Sequence, residues 1–532
     1  MITSFLPNLL AHRQAAPTSS LSIIPKLNHL ALLGLFLLAP TNVAAASAKS
    51  THSISETEIP AQTKQLYKDN CAECHGANRT GSMGPALLPD NLSRLRKNKA
   101  VDVIKNGRPA TQMPAFAAKL NDQQISSLAD YVFSKPVVQP EWSLKDIERS
   151  HVVYHPNGSL PDKPKFEADL KNLFIVVELG DHSATLLNGD TFEPIHRFKT
   201  RFALHGGPKY SPDGRYVYFA SRDGWVSKYD IYNMEFVAEI RAAINTRNLA
   251  ISKDGKYAMV ANYLPQSLVL IDTTDLKPVK VFDVESSEGK PSRVSAVYTA
   301  PPRNSFIAAL KDLKEVWEIP YDQGELTVRK IPVDDYLDDF FFDQSYKHLI
   351  GASRDSKDGQ VIDLDQGKKI KTIDLAGMPH LGSGITWQYQ GKTVMATPNL
   401  KDGQVSVIDM TTWDVIKRIK TKGPGFFMRS HQNSKYAWVD VFFGPNKDLM
   451  HVINKETLEI EKTLQPIPGK TAAHIEFTKN GSHALMSIWD KDGALIVYDA
   501  NTLKEVKRLP MKKPSGKYNV HNKTTYATGT SH

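Results

Sequence analysis

One phrase recurs along the last two thirds of the chain and limits its fold more than any other feature. It reads "YSPDGRYVYFASRDGWVSKYDIYNMEFVAEI" from Tyr210, "ISKDGKYAMVANYLPQSLVLIDTTDLKPVKVF" from Ile251 and "FTKNGSHALMSIWDKDGALIVYDANTLKEVKRL" from Phe477. Degraded copies lie between them, at "FDQSYKHLIGASRDSKDGQVIDLDQGKKIKTI", "WQYQGKTVMATPNLKDGQVSVIDMTTWDVIKRI" and "SHQNSKYAWVDVFFGPNKDLMHVINKETLEIEKTL". Each unit is turn, strand, turn, strand, Asp-x-x-Thr/Asn turn, strand, with a period of roughly 40 to 50 residues, which predicts a β-propeller. Adding "LFIVVELGDHSATLLNGDTFEPIHRF" and "VYTAPPRNSFIAALKDLKEVWEIP" gives eight units between Leu173 and Met511. The first unit lacks its leading strand, and "GKYNVHNKTT" near the C-terminus can supply it and close the ring. A propeller binds its ligand over the central channel, so functional residues are expected from several blades, one or two from each.

The rest of the chain divides by texture. An apolar run, "LALLGLFLLAP" from Leu30 to Pro40, follows Lys26 and His29 and precedes the small-residue tract "NVAAASAKS", with Ala-x-Ala sites ending at Ala46 or Ala48. That pattern reads as a secretory signal over residues 1–48, sending the mature protein to the periplasm with no membrane span after cleavage. Residues 49–136 read as an all-α domain, with Leu120, Ile125, Leu128 and Val132 at helical spacing and Asn121 as their N-cap. A Pro-rich linker over 137–165 leads into the propeller at 166–532. The fold class is thus α plus all-β. Hydrophobic residues at 41% and charged residues at 23% exclude disorder and a polytopic membrane protein. The net charge of +9 is scattered among acids, without the basic face of a nucleic-acid binder, and leaves room for an anionic small molecule or an acidic partner.

The two cysteines of the chain stand three residues apart in Cys71-Ala72-Glu73-Cys74-His75. C-x-x-C-H is the attachment motif of c-type haem: two thiols on one turn form thioethers, and His75 reaches the iron from the same side. A redox disulfide suits the following histidine and the export signal less well, and a zinc site lacks a second cysteine pair. For the opposite axial position, "NGRPATQMPAF" offers Met113, and "TGSMGPAL" offers Met83 as its rival. A thioether ligand stabilises ferrous iron, as an electron carrier requires. The N-terminal domain therefore reads as a class-I cytochrome c.

A cytochrome c placed before an eight-bladed propeller resembles the cytochrome cd1 nitrite reductase family and its relatives in haem d1 biosynthesis, over nearly the whole mature chain. "RFALHGGPKYSPDGRYVYFASRD" is similar to the family segment that supplies the proximal histidine of haem d1, which implies His205 as that ligand. "GMPHLGSG" is similar to a segment carrying an active-site histidine above the macrocycle, here His380. Nitrite reductases of the family carry a second distal histidine in a pattern resembling F-L-H-D, and in "YLDDFFFD" Asp338 stands in its place, which removes an imidazolium expected to protonate nitrite. "TAAHIEFTKNG" and "SGKYNVHN" instead offer His474 and Tyr518. With His205 and His380 these resemble the haem-c-bearing dehydrogenase branch, which converts dihydro-haem d1 to haem d1 by desaturating a propionate to an acrylate.

What the resemblance implies is a periplasmic oxidoreductase with one covalent haem c and with haem d1 or its dihydro form held without a covalent bond. His474 is the expected base, with Tyr518 orienting it or handling the second proton, and electrons leave through haem c to an external acceptor. Macrocycle carboxylates call for guanidinium groups, and Arg201, Arg222 and Arg247, with Tyr263 beside them, fall in segments similar to the family's carboxylate-binding ones. A family arginine just after the proximal histidine has no counterpart, Pro208 standing near it. His151, His155 and His348 match no motif and read as structural or exposed. A divergent nitrite reductase, or a carrier that delivers haem d1 to a cytochrome cd1 nitrite reductase, are the alternatives, and that reductase is the expected recipient of the product.

Overall fold

The recurring phrase folds as it does because of two turns it encodes. In "SPDGRY" and "SKDGKY", Ser211 and Ser252 donate to Asp213 and Asp254, while Gly214 (φ +83°) and Gly255 (φ +75°) take the left-handed backbone these turns need. In the Asp-x-x-Thr turns the carboxylate ending a strand accepts a backbone N–H two or three residues on: Asp272 from Thr274 at 2.7 Å, Asp409 from Thr411 at 2.8 Å, Asp499 from Thr502 at 2.7 Å.

The computed structural model describes residues 54–525 apart from 83, 93–94, 108–112, 353–357 and 376. The leader read over 1–48 and Met83 lie outside the described residues. Eight antiparallel sheets follow one another in chain order. Strands Leu173–Glu178, Ser183–Asn188 and Pro194–Lys199 make blade 1, and Pro514–Asn519 completes it by pairing Ile175 with Tyr518 and Val177 with Gly516. The chain therefore closes its own ring, as the missing leading strand of the first unit predicts. The first strands of blades 2 to 8 are Lys209–Tyr210, Asn245–Ile251, Val294–Ala300, Asp339–Phe342, Ile385–Tyr389, Met428–Arg429 and Ala472–Phe477.

Burial grades outward from the channel. Ala472–Phe477 is buried at every position, whereas the outer strands Lys368–Ile373 and Val415–Lys420 expose most of theirs and carry three lysines, and two lysines and an arginine, respectively. Charged outer strands keep a sheet edge from pairing with another chain. The core lies between facing blades: Trp438 and Met450 of blade 7 pack on Ile475, Met486 and Tyr498 of blade 8, and Met259 and Leu270 of blade 3 on Phe306 and Trp317 of blade 4. Each such side chain contributes about 1.5–3 kcal/mol by leaving water.

Helices Ala61–Asn70, Lys97–Asn106 and Asp122–Phe133 enclose a separate apolar cluster of Tyr67, Ile125, Leu128 and Val132. Asn121 caps the third of them, accepting from Gln124 N at 2.9 Å, as the sequence predicts. The connector is more ordered than its proline content suggests. Ser143 and Asp146 form a capping box that starts helix Leu144–Arg149, and Val152–Val153 adds a fifth strand to blade 2, pairing Val153 with Ala238.

The described residues form one compact unit. Buried Arg241, at the end of blade 2, joins its two parts: Nη2 donates to Thr80 O at 2.6 Å, Nε donates to Asp223 O at 2.8 Å, and the guanidinium lies 4.6 Å from the Trp142 ring centre. Asn91 Nδ2 donates to Ile244 O at 3.3 Å, and Ala86 and Leu88 pack on Ile244 and Leu264. The helical domain thus sits on blades 2 and 3.

Candidate functional site

The helix Ala61–Asn70 delivers Cys71, and a single further turn, Ala72–His75, sets Cys74 and His75 before Gly76 (φ +76°) ends it. Tyr67 Oη donates to Gly76 O at 2.8 Å and so fixes that exit. Buried His75 donates Nδ1–H to Pro85 O at 2.8 Å, which fixes the tautomer and leaves the Nε2 lone pair for a ligand bond. Gly84 lies flat against the ring: a Cβ there would come 2.8 Å from His75 Cε1. Burial lowers the basicity of His75 and pushes the Cys71 thiol up to about 11. Cys71 and Met113 border the same apolar cluster. Two thiols, an oriented imidazole and a thioether beside one apolar cluster fit a covalent haem c.

On the propeller, His205, Arg201 and His380 precede a first strand, Arg222 follows a second one, and Arg247, His474 and Tyr518 lie within innermost strands. His205 follows Ala203 (φ +46°) and precedes Gly206 (φ +79°) and Gly207 (φ +70°). Its Nδ1–H donates to Arg247 O at 2.6 Å, and Arg247 Nη1 donates to its Nε2 at 2.8 Å. Arg247 Nε also donates to Ser295 O at 2.9 Å, so this guanidinium ties three neighbouring blades together. Arg222 follows the second strand of blade 2, its backbone N–H donating to Ala203 O at 3.1 Å. Arg201 is turned elsewhere: Glu239 takes it in two bonds of 3.0 and 2.5 Å, and its guanidinium stacks 3.8 Å from the Trp225 ring centre. Tyr263 lies 5.6 Å under Arg293, which is itself paired with Asp312 at 2.6 Å. Arg201 and Tyr263 are thus both drawn into local pairings.

His380 opens blade 6. Its Nδ1–H donates to Phe426 O at 2.5 Å, the Phe426 ring stacks on it at 4.1 Å and 24°, and Nε2 lies 4.0 Å from Asp339 Oδ2. Burial holds this imidazole below the usual histidine range even with Asp339 nearby. Asp339 is the carboxylate that sequence reasoning passed over: it accepts from Tyr298 Oη at 3.0 Å and Gly382 N at 2.9 Å, whereas Asp338 next to it is ion-paired with Lys311. Alternation along a strand sends neighbouring residues to opposite sides, which separates the two.

His474 sits in a β-bulge: the register of its strand slips between Ala473 and Ile475, and its φ is +49°. A bulge frees a residue from the ladder and re-aims its side chain. Both of its backbone polar groups find buried charged partners, His474 N–H donating to Asp440 Oδ2 at 3.2 Å and Lys517 Nζ donating to His474 O. The ring lies 5.3 Å from that of Tyr518 and 4.8 Å from that of Phe427, and Nδ1 is buried with no hydrogen-bond partner among the described residues. Burial, with Lys517 and Arg429 nearby, keeps His474 neutral well below the ordinary pKa. Tyr518, on the ring-closing strand, is pushed up to about 12 by burial and keeps its proton. Asp440, Lys517 and Phe426 were missed by sequence reasoning. The signal for Asp440 is a lone charge inside the apolar run "YAWVDVFF"; Lys517 in "GKYNV" and Phe426 carry no such local mark. The positive charge of Arg429 reaches both His380 and His474, and that of Arg247 reaches His380, so these groups share one environment. The three unmatched histidines have local partners, as the sequence suggests: His151 Nε2–H donates to Asp275 O, His155 lies 4.0 Å from Glu235, and His348 lies 3.0 Å from Asp343.

Comparison with known proteins agrees with this anatomy. Residues 168–523 match the cytochrome D1 heme domain family, and residues 59–132 match the family described as cytochrome c oxidase, cbb3-type, subunit III. The dihydro-heme d1 dehydrogenase of Pseudomonas aeruginosa is 57% identical over 468 residues, covering 88% of this chain and 95% of the relative. A nitrite reductase of Stutzerimonas stutzeri is 26% identical over 92% of this chain and 97% of its own length. A solved structure of dihydro-heme d1 dehydrogenase NirN in complex with DHE superimposes with a TM-score of 0.86 at 56% identity, over 87% of this chain and all of that one. By a match that spans the whole ring, and by a relative that shares both of its parts, the chain belongs to the cytochrome D1 heme domain family.

Proposed function

We propose that the protein is a dehydrogenase that converts dihydro-haem d1 to haem d1, oxidising a propionate side chain to an acrylate. The observation that carries this reading is identity of 57% to the Pseudomonas dehydrogenase through both parts of the chain, against 26% to the nitrite reductase. Local geometry favours the same side: Asp338, where a reductase of the family would carry a histidine, is spent on Lys311.

The reaction turns CH2–CH2 into CH=CH, releasing two protons and two electrons. His474 is the base: its buried Nδ1 has no hydrogen-bond partner among the described residues, and its depressed basicity keeps the imidazole neutral, with one nitrogen free to accept a proton, at neutral pH. Tyr518, packed on the same imidazole, orients it and passes on the second proton. His205 holds the substrate's iron through Nε2, exchanging the Arg247 guanidinium for the metal and releasing it to a carboxylate, with Arg222 as the second carboxylate partner. Arg201 buttresses blade 2 through Glu239. His380, held by Phe426 and faced by Asp339, covers the macrocycle from another blade. When bound at Cys71, Cys74, His75 and Met113, haem c supplies one-electron transfer to an external acceptor.

Export to the periplasm by a leader over residues 1–48, and delivery of the product to a cytochrome cd1 nitrite reductase, complete the proposal. Among the described residues no helix is long and apolar enough to cross a membrane. The test mixes oxidised holoprotein with the dihydro macrocycle and follows mass and absorption. Loss of two hydrogens supports dehydrogenation, tight binding at unchanged mass marks a carrier, and sustained nitric oxide formation from nitrite marks a reductase. His474→Ala is expected to bind the macrocycle and leave its mass unchanged.

A further inference from the structure

We infer that Asp440 is a positioning residue for the dehydrogenation, holding the imidazoles of His474 and His380 in one fixed relation; this rests on the reading that both face the substrate. Asp440 ends strand Tyr436–Asp440 of blade 7 and is fully buried. One oxygen accepts from Phe426 N at 2.7 Å and Phe427 N at 3.0 Å, and the other accepts from His474 N at 3.2 Å, across to blade 8. The turn it grips carries the contacts of both histidines. Phe426 O takes the His380 Nδ1 proton at 2.5 Å, the Phe426 ring stacks on His380, and the Phe427 ring lies on His474. One carboxylate thus fixes the His380 tautomer through Phe426 and the His474 backbone directly.

The arrangement needs a carboxylate in particular. Three converging N–H donors call for a group with acceptors on both sides, which an amide cannot offer, since one side of asparagine is itself a donor. His474 also needs the grip more than an ordinary strand residue does. Its left-handed conformation is costly for a side chain bearing Cβ and persists only where its surroundings over-determine it. Lys517 provides the matching hold on its carbonyl, so the bulge is clamped at both ends of one residue. Burial raises the Asp440 carboxyl to about 6, and the three N–H bonds pull against that rise.

The test uses full-length holoprotein and the dihydro macrocycle as probe. Asp440→Asn is expected to bind it within about threefold of the parent while single-turnover conversion slows about thirtyfold or more, with the haem c potential unmoved. Measured on whatever residual rate His474→Ala retains, the same change is expected to cost less than it does in the parent, because only its hold on His380 through Phe426 is left to lose. Should Asp440→Asn fail to fold, Asp440→Glu keeps the charge but cannot hold all three donors, and is expected to show the same split. Parent-like conversion by Asp440→Asn, or an affinity loss matching the rate loss, overturns the inference. If His474→Ala itself converts at the parent rate, the reading of His474 fails; if it is inert while Asp440→Asn is fully active, the role of Asp440 fails.

Discussion

Replacing Gly207 by alanine asks whether the turn after His205 sets the position of Tyr518. Gly207 has φ +70°, and a Cβ added there would lie 2.8 Å from Tyr518 Cε1 and 3.2 Å from its Cζ and Oη. Carbon atoms pack comfortably at about 3.5 Å or more, so the ring must withdraw by about 0.7 Å. A misplacement near 1 Å in a reacting geometry costs about a hundredfold, so conversion of the dihydro macrocycle is expected to slow by about ten- to a hundredfold. The left-handed backbone adds about 1–2 kcal/mol of destabilisation regardless of neighbours. Gly391 isolates that part: it has φ +78° and a Cβ added there would meet nothing within 4 Å, so Gly391→Ala bears the backbone cost with no contact on the site. Both variants are expected to melt lower, by about 1 °C per kcal/mol for a unit of this size, Gly207→Ala more so because it adds the overlap with Tyr518. Only Gly207→Ala is expected to convert slowly in a single-turnover assay followed by mass. Equal rates for the two variants would refute the packing argument.

Two further outcomes follow from the buried charges. Arg241→Met removes the donors to Thr80 O and Asp223 O and leaves one buried and one part-buried carbonyl without this partner; urea denaturation is expected to show a loss of about 2–4 kcal/mol, accompanied by earlier proteolytic release of the cytochrome domain. Burial depresses His474 below the ordinary value near 6.5, so the single-turnover rate is expected to stay level as pH falls through about 6.5 and to decline only at lower pH; an acid limb centred at or above that value would show an ordinary, solvated imidazole. The same shift has a stability counterpart. Because the unfolded imidazole binds a proton that the folded one refuses, the contribution of His474 is complete above about 6.5 and is lost on acidification, by at most about 1.4 kcal/mol per pH unit.

What could be read from the amino-acid order was whatever repeats or stays local. The Asp-x-x-Thr and Ser-x-Asp-Gly turns are made by neighbours within five residues, so the clear copies expose the repeat and its degraded copies can be counted to eight blades. The Asn121 cap and the C-x-x-C-H turn are equally local. Helix Leu144–Arg149 was legible in principle, since Ser143-x-x-Asp146 spells its capping box, but the surrounding prolines drew the eye to a featureless connector. Contacts between blades were not legible. Glu239 claims Arg201 from 38 residues away, Asp440 reaches His474 over 34, and Lys517 reaches it over 43. No local pattern encodes such pairings, because they arise only when the ring brings successive blades face to face. Asp339 was hidden for a different reason: similarity to F-L-H-D drew attention to Asp338, while strand alternation gave the inward place to the next residue.

Strand Pro514–Asn519 completes blade 1 and brings Lys517 and Tyr518 with it. A nascent chain halted before Pro514 would hold seven full blades, Cys71, Cys74, His75, His205, Arg247, His380 and His474, yet it would lack both the Lys517 amino group that clamps the His474 carbonyl and the phenol beside the ring. Assembly of the reactive centre and closure of the polymer into a circle are thus a single event. On the reading of the site proposed above, a half-made chain already carries His205 and His474 but not Lys517 or Tyr518, so the order of synthesis puts completion of the reactive centre last.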